Sequence, residues 1–411
     1  MDTSYSRAPE AGRAGDAGDA CALGYAPLVD RRRRAVGIRF TLELADSSRC
    51  DDIRAHFDAA WPESAAPVVL ALSGAGSALE FTLGSRPAPR NAIVEIDAAA
   101  LANANEAQAA QELVRRGWSL ALRGRPAAPL PAELRGAIAF IVVDPVSDAP
   151  FDLEAFGLGA LRVQRLVIGA RSVEDLDRAF QGGATASVGW PIGDPKHHRA
   201  RPLQAAQATV IDALQLARRD APAEDIDACM KHDPALAFKL LRLVNSSAFG
   251  NRTQITSLKQ AVMLMGYRKL TRWLALLLAT ASSDVDSQPL MHLSVRRGLF
   301  LDQLREMHAD AALGDDLFVT GAFSMLDYIT GVAFDRLFEL IALPEAVVDA
   351  LASRRGRYAP FLDLVEAIER SDAPAIREHG RAAGIEPDLR NRALLAALAS
   401  ANSIEASGGL G

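Results

Sequence analysis

The hydrophobic period changes once along this chain, and that change limits the available folds more than any single motif does. From Leu23 to about Pro195, short apolar runs alternate with longer mixed segments. This is the pattern of buried parallel strands separated by helices. Val36–Leu44, Val68–Leu72, Ala92–Ile96, Ser119–Leu122, Ala137–Val143 and Arg165–Ile168 read as strands, and Asn105–Arg116 reads as a helix stopped by Gly117. Repeated strand–helix units imply a barrel or a doubly wound sheet. About 175 residues is short for eight full units, so a truncated barrel is expected. From Leu203 to about Ser400, apolar residues recur at three and four residue spacing, which predicts an all-helical second half.

Between the halves, Gly193 to Pro202 carries two prolines and clustered basic groups, the composition of an exposed connection. The expected organisation is a disordered tail over 1–20, an α/β domain over 21–195, a linker over 196–202, a helical domain over 203–401 and a second tail over 402–411. Composition removes several function classes. A net charge of -6 gives no general attraction to nucleic acid or anionic lipid, so neither partner is expected. Cys21, Cys50 and Cys229 are far apart and form no C-x-x-C pair, which indicates neither a disulfide framework nor a thiolate zinc site. The longest strongly apolar stretch, Trp273–Ala281, is less than half the roughly 20 residues of a membrane helix. Residues 1–20 have no apolar segment that would serve as a signal peptide. A cytoplasmic location is therefore expected. Five lysines, against an abundance of arginine and alanine, point to GC-rich coding and a bacterial source.

The helical half is punctuated legibly. Asp233-Pro234 places an N-cap acceptor before a residue with a preset φ, so a helix is expected to start there. Leu236, Leu240, Leu243 and Val244 fall on one face of it, as a core face requires. Ser257 with Gln260 forms a capping-box pattern, predicting a helix from Leu258 to Met265 that stops at Gly266. Tyr267 leads into another helix, apolar nearly all round from Trp273 to Leu278, as expected at the centre of a bundle.

Four ordered pieces of this half resemble the HDOD signature: Asp233-Pro234-Ala235-Leu236, Lys239 to Ser247, Ile255 to Ala261 and Leu264-Met265-Gly266. The resemblance continues through Arg297–Leu304 and Leu317–Asp327. HDOD domains resemble the HD phosphohydrolases, whose His-Asp pair gathers metal ions in a helical bundle to activate water. Here Ser324 and Met325 stand where that His and Asp would be, and a hydroxyl and a thioether suit a hard metal poorly. His56, His197, His198, His232, His292, His308 and His379 form no H-x-x-x-H pair. His197 and His198 read as solvated linker residues, and His232 as a neighbour of the helix start.

The first half resembles an EAL phosphodiesterase domain at its two ends. Gly24–Asp30, the basic run Arg31–Arg34 and Val36-Gly37-Ile38 resemble its opening strand pair, with the basic run as a charged hairpin turn. Val188–Pro195 resembles its closing segment. That family cleaves cyclic di-GMP with carboxylates and an Asn around two metal ions at the barrel mouth. The Glu-Ala-Leu motif falls on Arg39-Phe40-Thr41, and the phosphate-holding Arg on Glu43. The Asn ligand falls near Ala71, and the D-D-F-G loop on Arg123-Gly124-Arg125-Pro126. The K-I-D strand end reads Val142-Val143-Asp144, the E-G-V-E segment falls on Gly169 to Ser172, and the closing Gln near Val188. Glu95 and Asp144 remain as candidate carboxylates. Ser73 to Ser77 lacks the ending of a phosphate-binding P-loop.

This resemblance implies a truncated, degenerate EAL-like barrel followed by an HDOD bundle. On these residues the chain is expected not to be an enzyme. It is expected to act as a non-catalytic signalling scaffold in a cyclic di-GMP-related network. No cofactor or metal is expected, and cyclic di-GMP is not expected to bind. The expected partners are signalling proteins, with homo-oligomerisation allowed. Asn245, Ser246 and Ser247, closing an apolar helix, mark the favoured interaction face. A non-hydrolysing nucleotide sensor using Arg39, Arg123 and Arg125 is one alternative, and a metal-dependent phosphodiesterase is another.

Overall fold

The computed structural model describes residues 21–44, 55, 66–74, 88–144, 158–159, 163–193, 203–245, 255–304, 311–341 and 343–406. The expected N-terminal tail, the 196–202 linker, Ser246, Ser247 and residues 407–411 lie outside them. Eight strands, β1 (Cys21–Asp30), β2 (Ala35–Leu44), β3 (Val68–Gly74), β4 (Ala92–Asp97), β5 (Ser119–Arg123), β6 (Ile138–Val143), β7 (Gln164–Val167) and β8 (Ala186–Val188), close a barrel in chain order. β1 runs antiparallel to both β2 and β8, and every other pair is parallel. The expected barrel is therefore present and closed by all eight strands, its economy of length lying in the crossovers. An antiparallel pair joins through a tight turn, whereas a parallel pair needs a crossover of a dozen or more residues. The Arg31–Arg34 turn thus saves one whole crossover.

Strand alternation divides the side chains into two layers. Leu28, Val69, Ile93, Ala121, Val142, Leu166 and Ala186 fill the barrel interior. Phe40, Leu42, Leu70, Val94, Leu120 and Leu122 face outward into the larger core. Parallel strands buried on both faces explain why they read as apolar runs rather than as alternation. Around the barrel lie α1 (Ala104–Arg115), α2 (Ala132–Arg135) and α3 (Val173–Gln181). Ser172 caps α3, accepting from the Asp175 N–H while the Asp175 carboxylate accepts from the Ser172 N–H.

The second half is helical throughout its described residues: α4 (Ala205–Arg218), α5 (Ala223–Lys231), α6 (Pro234–Val244), α7 (Leu258–Ala279), α8 (Gln288–Gln303), α9 (Ala311–Phe323), α10 (Leu326–Thr330), α11 (Phe334–Leu340), α12 (Glu345–Ser353), α13 (Ala359–Arg370), α14 (Ala373–Ala382) and α15 (Pro387–Ala406). The Asp233 carboxylate accepts from the N–H groups of Ala235 and Leu236, opening α6. Ser257 accepts from the Gln260 N–H, opening α7. Gly266 breaks α7 with φ 75° and ψ 169°, a left-handed backbone that a Cβ disfavours, so the expected stop exists as a kink. α15 continues through Ala406, past residue 401 where a tail was expected. The reason is that Ile404 is buried and Glu405 pairs with Arg296 and His292 of α8.

α8 is buried on all sides, and its closest neighbour is α9. A Cβ on Gly321 would lie 2.6 Å from the Arg297 carbonyl oxygen and 2.8 Å from the Gly298 nitrogen, so the backbones meet where only glycine fits.

The two halves are joined through β1. Its outer face, with Cys21, Leu23 and Tyr25, is buried in the core shared with the helices. Arg390 and Asn391 donate to the Cys21 carbonyl at 2.9 and 3.0 Å. Arg33, in the hairpin turn, is buried. It bridges Asp177 of α3 at 2.6 Å and Asp286 at 2.9 Å, and lies over the rings of Trp190 and Phe180.

Two outcomes are expected. Gly321→Ala forces the α8 and α9 backbones apart and should lower stability by about 1–3 kcal/mol or more, read from chemical denaturation midpoints. Burial raises the Glu405 pKa, but Arg296 and His292 more than offset that and hold the carboxyl below its ordinary 4.5. A depressed carboxylate stabilises the fold above its unfolded pKa and loses that contribution as pH falls through the folded value. The Tm advantage of wild type over Glu405→Gln should therefore be full at neutral pH and vanish on acidification below 4.5.

Candidate functional site

In a barrel of this kind, the C-terminal ends of the parallel strands form the mouth where chemistry is placed. Register sets Thr41 of β2, Ala71 of β3, Glu95 of β4 and Ala121 of β5 side by side. Arg39 reaches this layer from below. Its Nε donates to Glu95 Oε2 at 2.6 Å, its Nη2 to Glu95 Oε1 at 2.7 Å and its Nη1 to Thr41 Oγ1 at 3.0 Å. Ala71 lies on the strand between the partners, and its methyl group leaves room for this forked pair to pass over β3. Arg123 approaches Glu95 at 3.5 Å and Asp97 at 3.2 Å. Glu43 accepts from Arg377 of α14 at 2.7 Å, so the bundle reaches the mouth as well.

Among the described residues no group of three or more His, Cys, Asp or Glu side chains is placed to hold a metal ion. Both oxygens of Glu95 are taken by a guanidinium. As arranged, the mouth does not fit a two-metal centre, because a cation already sits where the ion's charge would go.

The second locus lies at the seam between barrel and bundle. Ser324 Oγ accepts from Arg297 Nη1 at 3.0 Å and donates to the Gly321 carbonyl at 2.7 Å. The fully buried Arg297 forks onto Glu369, with Nε at 2.8 Å and Nη2 at 2.5 Å. Burial works against the charge on Arg297, but Glu369 more than reverses this, with Glu366 and Tyr25 adding to it, and raises its pKa. The Tyr25 phenol beside them is pushed upward, first by burial and then by Glu369. Next to this pair opens a cavity of 460 Å³. Pro27, Gly189, Trp190 and Ile192 form its barrel side, and Met325, Tyr328, Arg354 and Arg370 lie on its helical side.

The positions singled out from sequence thus separate. Arg39, Ala71 and Arg123 converge at the mouth with Glu95, and Gly124 follows Arg123 there. Gly169 lies against the Asp144 carboxylate. Val142 and Val188 belong to the barrel interior, and Ser172 serves as a helix cap. Ser324 and Met325 line the seam region, with Met325 buried against Val29 and Trp190. Asp233 and Pro234 start α6, Gly266 kinks α7, and the Asn245 side chain ties Leu241 to Ile255 through bonds of 2.7–2.8 Å. Arg33, Arg297 and Glu369 were not anticipated. The adjacent arginines Arg296 and Arg297, followed by Gly298-Leu299-Phe300-Leu301, were a readable signal, but the acceptor of Arg297 72 positions away was not.

The HDOD-domain family model matches residues 203–338. Over 281 residues the chain is 27% identical to the cyclic di-GMP phosphodiesterase CdgJ of Vibrio cholerae, covering 66% of this chain and 64% of CdgJ. It is 21% identical over 222 residues to the uncharacterized protein YuxH of Bacillus subtilis, covering 52% of this chain and 54% of YuxH. The chain thus spans less than two thirds of the length of either relative. A crystal structure of a putative phosphohydrolase from Shewanella amazonensis aligns with a TM-score of 0.38 and 15% identity, over 51% of this chain and 94% of that one, and at this score carries no weight.

The similarity to CdgJ overturns the expectation that the chain is not an enzyme. That expectation rested on residue types at assigned motif positions, and such an assignment does not outweigh overall similarity to a protein named as a phosphodiesterase. Among the described residues, no helix is long and apolar enough to cross a membrane.

Glu95 and Arg39 are both largely buried, so removing one strands the other's charge. Arg39→Ala should cost about 3–5 kcal/mol of stability in denaturant titrations. Replacing the pair together, Arg39→Met with Glu95→Leu, should recover most of that loss.

Proposed function

We propose that this chain serves a cyclic di-GMP signalling network as a protein-docking scaffold, with an EAL-like barrel fused to an HDOD bundle. The relationship to CdgJ supports the network, and the HDOD match supports the second module. The observation that carries the docking role is a set of exposed apolar side chains on the two signature helices. Phe238 of α6 is 63% exposed, and Met263 and Leu264 of α7 are 76% and 56% exposed. Large apolar groups left in water on two helices that pack together mark contact sites for other proteins. The Arg242 guanidinium lies 5.8 Å from the Phe238 ring, adding the arginine–aromatic pairing common in interface anchors. Asn245, at the end of α6, is tied to the Ile255 backbone by hydrogen bonds of 2.7 and 2.8 Å.

A second reading, cyclic di-GMP hydrolysis in the barrel, is favoured by one observation, the similarity to CdgJ. It would use Glu95, Asp97 and Asp144 at the strand ends and requires Glu95 to leave Arg39. Its check is turnover by the purified chain with Mg²⁺ or Mn²⁺, compared with Glu95→Gln. Activity that the variant abolishes establishes this reading; activity that survives it refers the turnover to another site.

The docking reading predicts that Phe238→Glu combined with Met263→Glu and Leu264→Glu keeps the circular dichroism spectrum and cooperative melting of wild type. The same variant should lose about tenfold or more in the yield of proteins cross-linked to it in the native cell. Equal yields of the same proteins from variant and wild type would sink the docking role.

A further inference from the structure

The seam cavity is built unlike the barrel mouth. At the mouth Glu43, Glu95 and Asp97 each face a guanidinium, whereas the cavity lining carries three guanidinium groups, Arg297, Arg354 and Arg370, against two carboxylates, Glu366 and Glu369. Arg297 is committed to Glu369 and Ser324. Arg354 pairs with Glu366 and lies 3.9 Å from Asp363, whereas Arg370 comes no closer than 3.6 Å to Glu366 and is 57% exposed. The rim therefore offers two guanidinium groups, that of Arg370 exposed and loosely held, from the side chain best suited to forked bonding of phosphate.

The rest of the lining is apolar or aromatic. Pro27, Trp190, Ile192, Leu293 and Met325 form a wall, with the Tyr328 ring beside them. Arg33 lies over the Trp190 ring at 5.4 Å and is itself fixed by two carboxylates, which holds the indole in place. At 460 Å³ the volume falls within the roughly 300–1,000 Å³ of small-molecule sites, towards its lower end.

We propose that this cavity is a binding site for a mononucleotide, its base against the Trp190–Met325 wall and its phosphate on Arg354 and Arg370. Such a ligand would touch both the barrel and the bundle. It would thus favour the docked arrangement of the two halves over any looser one, by whatever margin its affinity differs between them. The site involves neither the α6–α7 face nor the Arg39–Glu95 pair, so it stands or falls separately from the docking and hydrolysis readings.

Titration of the full chain with GMP and with AMP, followed by calorimetry and tryptophan fluorescence, tests it. At least one of the two should bind in the micromolar to low-millimolar range and quench or shift the emission. Arg370→Ala, at an exposed position, should weaken binding about tenfold or more while leaving the melting curve intact, and Arg354→Ala should do the same. Arg123→Ala at the barrel mouth should leave the affinity unchanged. Inorganic phosphate should bind at least about tenfold more weakly, because it lacks the ring. The proposal is overturned by absence of heat and of spectral change with both nucleotides, by affinity unchanged in both seam variants, by a loss in Arg123→Ala as large as theirs, or by phosphate binding as tightly as the nucleotides.

Discussion

The architecture depends on one strand that serves two cores. β1 closes the barrel by pairing antiparallel with β2 and β8, and its Leu28 points into the barrel interior. Its other face carries Cys21, Leu23 and Tyr25 into the helical core. A strand buried on both sides has no solvent face to hold the chain's register, so register must come from the partners. Arg390 and Asn391 provide part of it by gripping the Cys21 carbonyl, and the Arg33 turn anchors the opposite end to Asp177 and Asp286. The barrel and bundle are for this reason described better by their shared wall than as two beads on a linker.

Buried arginine–carboxylate pairs recur at both loci where the resemblances imply metal chemistry. Arg39 forks onto Glu95 at the mouth, and Arg297 forks onto Glu369 at the seam. Such pairs are modest sources of net stability, because desolvation consumes most of the attraction, yet losing one partner is costly. Their effect is to make geometry specific. A guanidinium held by two parallel bonds fixes the distance between strands β2 and β4, or between helices α8 and α13, more narrowly than apolar contact does. Residue identity at motif positions describes one arrangement of the site, whereas the similarity to CdgJ extends along 281 residues, 66% of the chain.

The helical half was largely legible beforehand because its signals are local. A cap is decided by a side chain and the N–H groups two or three residues away, so Asp233, Ser257 and Gly266 could be read from their neighbours alone. The completeness of the barrel was not legible in the same way. Counting residues per strand–helix unit assumes crossovers, and the β1–β2 hairpin dispenses with one. The basic run Arg31–Arg34 was legible as a turn, but the burial of Arg33 within it was not. The acceptors of Arg33 lie 144 and 253 positions away.

What the amino-acid order determined by itself was periodicity and punctuation: a strand-rich half, a helical half, their caps and kinks, and the arginines at the assigned motif positions. These follow from steric and hydrogen-bonding preferences that act within a few residues. Only the tertiary structure decided which charges meet, that Arg39 takes both oxygens of Glu95, that Arg377 of the bundle reaches Glu43 of the barrel, and that a cavity opens between β1 and α13. The physical reason is that pairing and cavity shape depend on distances between elements far apart in the chain, set by packing a strand between two cores.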